Sequence, residues 1–133
     1  PERLVPAVTR ALMEEQPARC SHGNQVRDFM HVSDTADAFA ALLDSDVRGA
    51  VNIGSGEAVR LKEVVGRIAG IIGREDLVQL GAIPSPEDEP PRIVANVGRL
   101  RTEVNWTPRL SFDDGLAATV EWWRRSYSRN LNG

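Results

Sequence analysis

A single cysteine, Cys20, has no second cysteine to pair with in these 133 residues. No disulfide framework is available, and a reducing, cytoplasmic setting is the expectation. Histidine is equally scarce: His22 and His31 are the two present, and neither has a Cys or His partner at metal-ligand spacing, which argues against a zinc site. No apolar run reaches membrane-spanning length before a charge interrupts it. No signal-peptide pattern opens the chain, which starts at Pro1 without an initiator methionine, so the true amino terminus is expected to be missing. Basic charge is not in excess, since 16 Lys and Arg face 19 Asp and Glu for a net charge of −3. The arginines are spread among carboxylates and form no basic stripe, so a nucleic-acid surface is not expected.

An apolar fraction of 41% and a charged fraction of 26% suit one soluble unit spanning 1–133, long enough to bury a core. No repeat, low-complexity tract or internal linker divides it. Periodicity then predicts helices alternating with short strands, an α/β chain. Leu4, Val8, Ala11 and Leu12 recur at helical spacing, with Pro6 tolerable in the first turn, and Pro17 closes that helix after about Gln16. A brief strand over Ala18 to Ser21, a His22-Gly23-Asn24 turn and a strand over Gln25 to Val32 follow. Ser33 or Asp34 caps a helix that buries Ala36, Phe39, Ala40 and Leu43. Ala50 to Ile53 reads as a strand, Gly54-Ser55-Gly56 as a turn, and Leu61 to Ile72 as a helix stopped by Gly73.

Downstream, Leu77 to Leu80 predicts a strand, and the prolines between Pro84 and Pro91 exclude helix or central strand there and predict a covering loop. Arg92 to Ala95 is a short strand, Asn96 a cap for a helix over Val97 to Val104, and Ser111 with Asp114 marks a last helix start. Phe112, Leu116, Val120, Trp123 and Tyr127 form that helix's core stripe, with Trp123 a packing residue and not a ligand platform.

The run Asn24-Gln25-Val26-Arg27-Asp28-Phe29-Met30-His31-Val32-Ser33-Asp34 holds the most chemistry. Strand alternation puts Val26, Asp28, Met30 and Val32 on one face and Arg27, Phe29 and His31 on the other. A guanidinium held beside an aromatic ring presents five pre-arranged donors to an oxyanion. The structural alternative is Arg27 pairing with Asp28 or capping a helix carboxyl end. Other features are weaker. Gly54-x-Gly56 has Val59 where a dinucleotide turn needs its third glycine. His31, Ser33 and Asp34 are too close along one strand to converge as a triad. Glu87, Asp88 and Glu89 read as a solvated acidic loop in preference to a cation site.

Four ordered motifs carry a resemblance: Arg27-Asp28-Phe29, Val32-Ser33-Asp34, Asn52-Ile53-Gly54-Ser55-Gly56 and Asn105-Trp106-Thr107-Pro108. Together they resemble the carboxyl-terminal half of the nucleotide-sugar epimerases and dehydratases, the extended short-chain dehydrogenase/reductase family. The resemblance spans Arg3 to Arg124. It implies an α/β fold of short strands alternating with helices, with the Rossmann half, the catalytic Ser or Thr and the Tyr-x-x-x-Lys pair all upstream of Pro1. Tyr127, the single tyrosine, has no lysine at that spacing.

The resemblance also implies roles. Arg27 contacts the diphosphate of a nucleotide-diphosphate sugar, and the strand from Ala18 to Cys20 runs beside the base. Glu89, or Asp88 in its stead, holds the ribose hydroxyls. The arginine expected in this loop is replaced by Ser85-Pro86, which weakens binding by about 1.5 to 3 kcal/mol unless Arg92 substitutes. Asp34 and Asn52 become capping and turn residues, and Trp106-x-Pro108 a packing hinge. The intact protein would oxidise a sugar hydroxyl transiently with NAD or NADP, bound mainly by the missing half, and then epimerise or dehydrate the keto intermediate. The 133-residue piece alone is expected to be inactive, and its uncovered faces to self-associate into a homo-oligomer. Two other readings stand beside this one: an NADP-dependent carbonyl reductase with a substrate lacking a nucleotide, and a non-catalytic binding module.

Overall fold

The computed structural model describes residues 3–85 and 88–131. Pro86 and Glu87, part of the predicted proline-bordered loop, lie outside the described residues. Helix α1 (Leu4–Met13) leads to strand β1 (Ala18–Arg19), strand β2 (Val26–Arg27) and helix α2 (Val32–Leu43). Strand β3 (Val59–Arg60) runs directly into helix α3 (Leu61–Ile72), followed by a 3-10 turn over Glu75–Leu77 and strand β4 (Val78–Gln79). Strand β5 (Arg92–Ile93), helix α4 (Gly98–Thr102) and the long helix α5 (Phe112–Leu131) complete the chain. β1 pairs with β4 in parallel, while β2 is the centre of a three-stranded sheet, antiparallel to β3 and parallel to β5. No helix among the described residues is long and apolar enough to cross a membrane.

The apolar pattern separates into two cores. Val8 and Leu12 of α1, Val64, Val65, Ile68 and Ala69 of α3, and Leu116 and Val120 of α5 bury against Ala18, Cys20 and Val59. The second core is smaller and gathers Ala38 of α2 with Val97, Leu100 and Trp106. Gly73 ends α3 in the left-handed conformation at φ 81°, as its position after the apolar stripe predicts. Ser111 and Asp114 likewise open α5: the Asp114 amide donates to Ser111 Oγ at 3.1 Å, and the Ser111 hydroxyl donates back to the carboxylate at 2.6 Å. Phe112, Leu116 and Val120 face the first core from that helix, with Trp123 and Tyr127 half-buried beyond them.

The strand predicted over Gln25 to Val32 stops at Arg27, because its neighbours pair with two residues only. Alternation nevertheless outlives the ladder, for Phe29 packs on the first core and Met30 on the second. The residue between Arg27 and Phe29 explains the stop. Asp28 accepts from Ser55 N at 2.9 Å, Ser55 Oγ at 2.5 Å, Gly56 N at 2.9 Å and Ala95 N at 3.2 Å, so its carboxylate ties the Gly54–Gly56 turn and the exit of β5 to β2. Gly54 is required here: a Cβ on it would lie 2.6 Å from Ala95 Cβ and 2.9 Å from Asp28 Oδ2. Burial pushes the Asp28 carboxyl up, but the four hydrogen bonds outweigh it and hold the group below the usual aspartate value.

Helix α2 departs most from expectation. His31, not Ser33 or Asp34, is its N-cap, accepting from Ser33 N at 3.3 Å, and the Ser33 hydroxyl lies 2.7 Å from the same imidazole nitrogen. Asp34 is buried and accepts from Arg109 N and Leu110 N, so its polar role sets which face turns inward. Trp106 Nε1 donates to Asp37 Oδ2 at 2.8 Å on that same side. Ala36, Phe39, Ala40 and Leu43, predicted as the buried stripe, are therefore exposed; Phe39 is 54% and Leu43 85% accessible, joined by Val32 at 74%. The predicted strand over Ala50 to Ile53 finds no strand partner among the described residues, although Val51 and Ile53 pack on the second core. Asn52 instead donates from Nδ2 to Asn96 O at 3.1 Å.

β1, predicted as Ala18 to Ser21, forms over Ala18–Arg19 and turns the side chains of Ala18 and Cys20 into the first core, 3% and 6% exposed. Burial pushes the Cys20 thiol pKa up.

Asp28→Asn is expected to lower unfolding stability by about 2 to 4 kcal/mol near neutral pH, because the donors that meet the carboxylate lose a charged acceptor. Since the folded-state pKa lies below the unfolded value of about 4, the wild-type contribution is complete above that value and lost as pH falls through the folded pKa. Chemical denaturation from pH 7 to pH 3 should show this acid-dependent loss in wild type, and a smaller one in Asp28→Asn. Cys20 should resist thiol–disulfide exchange with an aromatic disulfide reagent in the native protein and react in denaturant, with native-state labelling at least about a hundredfold slower.

Candidate functional site

Residues 25 and 27 share a face of β2 by the two-residue period of a strand, and both reach the same carboxylate. Arg27 Nη2 donates to Glu89 Oε1 at 2.6 Å, while Nη1 folds back onto Val26 O at 2.8 Å. Gln25, 5% exposed, donates from Nε2 to Glu89 Oε2 at 2.8 Å and lies 3.5 Å from Ser85 Oγ. Glu89 is thus shared between an amide and a guanidinium, with the Arg27 and Glu89 side chains 17% and 28% accessible. Gln25 Oε1 is buried without a hydrogen-bond partner among the described residues.

Neither structural alternative for Arg27 describes this geometry. Asp28 is committed to Ser55, Gly56 and Ala95, and the guanidinium meets an acid 62 residues away and not a helix end. The aromatic ring expected beside Arg27 also goes elsewhere: Phe29 packs against Phe112 with ring centroids 6.1 Å apart. Of the two acids proposed for this loop, it is Glu89 that joins Arg27, while Asp88 is exposed.

The remaining candidates are not brought together. Arg27 pairs in register with Ile93, and Val26 with Arg92, so Arg92 projects from the opposite face of the sheet and does not flank Arg27. Ala18 and Cys20 belong to the first core, leaving Arg19 as the exposed residue of β1, its Nη2 donating to Ala82 O at 3.2 Å. Gln25 is the residue that sequence reasoning missed; the signal for it was the alternation that places it level with Arg27.

A groove of about 650 Å³ lies along α5, lined by Phe29, His31, Ser55, Phe112, Leu116 and Trp123 among others, and neither Arg27 nor Glu89 borders it. Among the described residues that line it, no acid–base pair is assembled. His31 caps helix α2 with the Ser33 hydroxyl on its imidazole, and Asp34 serves the backbone of Arg109 and Leu110. The Tyr127 hydroxyl donates to Glu14 Oε1 at 2.8 Å, strapping α5 to the end of α1, and its pKa is raised by burial and by that carboxylate. The Gly54–Gly56 turn does not fit a dinucleotide. Its Ser55 and Gly56 amides, the donors that would meet a pyrophosphate, already serve Asp28.

Comparison with known proteins places this geometry in context. The family profile described as GDP-mannose 4,6 dehydratase matches residues 1–119. The chain is 33% identical over 131 residues to GDP-L-fucose synthase 1 of Arabidopsis thaliana, covering 92% of this chain and 39% of that protein. It is 32% identical over 127 residues to dTDP-glucose 4,6-dehydratase of Streptomyces niveus, covering 93% and 37%. Among solved structures, dTDP-glucose 4,6-dehydratase from Bacillus anthracis in complex with NAD superposes with a TM-score of 0.84 at 26% identity, over 94% of this chain and 40% of that one. The chain spans about two-fifths of the length of these relatives. A profile match over residues 1–119 shows that the chain belongs to the GDP-mannose 4,6 dehydratase family, one of the NAD-dependent nucleotide-sugar epimerases and dehydratases of the extended short-chain dehydrogenase/reductase type.

Proposed function

We propose that this chain is the nucleotide-sugar-binding portion of an NAD-dependent epimerase or dehydratase, with Arg27 as the contact to the ligand's diphosphate. The observation that carries this reading is the placement of Arg27: a half-buried guanidinium on the central strand of a sheet, oriented by its own backbone and met by one carboxylate. The relatives support it in a particular way. Their names differ in base, GDP in one and dTDP in another, and in sugar, while the diphosphate is common to them. A fixed cation suits the shared part of such ligands, since a planar fork of donors matches a phosphate whatever is attached to it.

In this reading the chain supplies binding and orientation, and the redox chemistry belongs to NAD or NADP held by residues outside these 133. Energy gained at the nucleotide handle, remote from the reacting carbon, fixes the sugar for reaction. The piece by itself is inactive. The exposed stripe of Val32, Phe39 and Leu43 and the unpaired segment 51–53 are the faces that meet the cofactor half in the intact protein.

Calorimetric titration with UDP, dTDP, GDP and CDP tests the binding role. At least one should bind saturably, and Arg27→Ala should weaken that binding roughly 10- to 100-fold, as expected for loss of a charge-assisted contact. Indifference to all four nucleotides would remove the diphosphate role and favour a substrate without one. The isolated chain should also self-associate through its uncovered helix. Light scattering should report a species larger than monomer that Leu43→Glu shifts toward monomer, and a monodisperse wild-type monomer would contradict this.

A further inference from the structure

We propose that Arg19 reads the base of the bound nucleotide and selects guanine, which makes the ligand a guanosine-diphosphate sugar. This rests on the reading of Arg27 as the diphosphate contact. Two arginines hold the tract between β4 and β5 from opposite ends: Arg19 Nη2 donates to Ala82 O at 3.2 Å, and Arg27 Nη2 to Glu89 Oε1 at 2.6 Å. Between them the Ser85 hydroxyl lies 3.5 Å from Gln25 Nε2, on the face of β2 that Arg27 shares. Three residues separate Ala82 from Ser85 along the chain, a span of at most about 11 Å. The two guanidinium groups therefore flank one short stretch of surface, on the scale of a nucleotide.

The faces left open set the ligand's direction. From Arg27 the chain runs through Phe29 and His31 to α2, whose exposed Val32, Phe39 and Leu43 meet the cofactor half in this reading, so the sugar extends that way. The nucleoside then extends the other way, past Gln25 and Ser85 to Arg19, the exposed residue of β1. Among the described residues the Arg19 guanidinium has the Ala82 carbonyl as its partner and no carboxylate, which leaves its charge unneutralised and most of its five donors uncommitted. A planar fork of donors meets two acceptors side by side in one plane, and guanine presents such a pair at O6 and N7. Adenine sets an amino donor beside N7, cytosine carries an amino donor, and thymine or uracil offers a single carbonyl on that edge. Of the common bases, guanine alone matches both prongs.

GDP, IDP, ADP and UDP titrated by calorimetry into the wild-type chain, Arg19→Ala and Arg27→Ala decide the matter. IDP keeps O6 and N7 without the 2-amino group, and ADP replaces the O6 acceptor by a donor. Wild type should bind GDP and IDP alike, and about 10- to 100-fold tighter than ADP or UDP. Arg19→Ala should close that gap by weakening GDP and IDP while ADP and UDP keep their affinity. Arg19 is exposed and belongs to neither core, and thermal melts confirm that both variants fold. If wild type shows no such gap, or if Arg19→Ala leaves it in place, while Arg27→Ala loses all four nucleotides, base reading by Arg19 is wrong and the diphosphate contact stands. If Arg27→Ala binds all four as wild type does, or if wild type binds none, the underlying reading of Arg27 fails and the guanine preference with it.

Discussion

Four donors converging on the Asp28 carboxylate hold the rest of the architecture in place. The two cores are packed by different helices, and the chain crosses from one to the other at this residue, with Phe29 going to the first and Met30 to the second. Without a polar knot there, strands of two residues would have little to define their register, since so short a ladder contributes few hydrogen bonds. An acceptor-only side chain with two oxygens can bind a turn and a strand exit at once, and a buried ring or aliphatic group could not.

That commitment also governs the neighbouring arginine. Two adjacent residues of opposite charge would ordinarily form a local pair of small value at a surface. Because Asp28 is consumed by backbone amides and a serine hydroxyl, Arg27 is left to recruit an acid from a distant loop, and it does so in partly buried surroundings where the pairing is stronger than in water. The cation at the centre of the functional reading is thus positioned by the same interaction that positions the fold.

Much of this was legible in the residues. Gly73 and Ser111 delimit helices by backbone chemistry that needs no partner, whereas α1 ends at Met13, short of the Gln16 end that Pro17 implies; Leu4, Val8 and Leu12, like Val64, Val65 and Ile68, announce core faces through periodicity. Arg27 and Glu89, singled out from the sequence, are brought together as an ion pair. What could not be read depended on tertiary partners. Phe39 and Leu43 form a proper apolar stripe, yet the buried face of α2 was decided by Asp34 and Asp37 finding the Arg109 and Leu110 amides and the Trp106 indole. Arg92 was plausible as a second cation until the register of β5 against β2 turned it to the other face. Ala18 and Cys20 were expected beside a ligand, but small apolar side chains on a strand packed under α1 and α3 are core material.

The segment 81–91 is anchored where it joins the fold, and between those ends Glu89 ties it to Gln25 and Arg27. Gly81 N donates to Ser21 O and Ile83 N to Cys20 O at one end, Val26 N donates to Pro91 O at the other, and none of its described residues contributes to either buried core. Changes of composition between those anchors alter what surrounds Glu89 without removing a side chain from either core. A scaffold built this way confines variation to a surface tract that neither buried core has to accommodate.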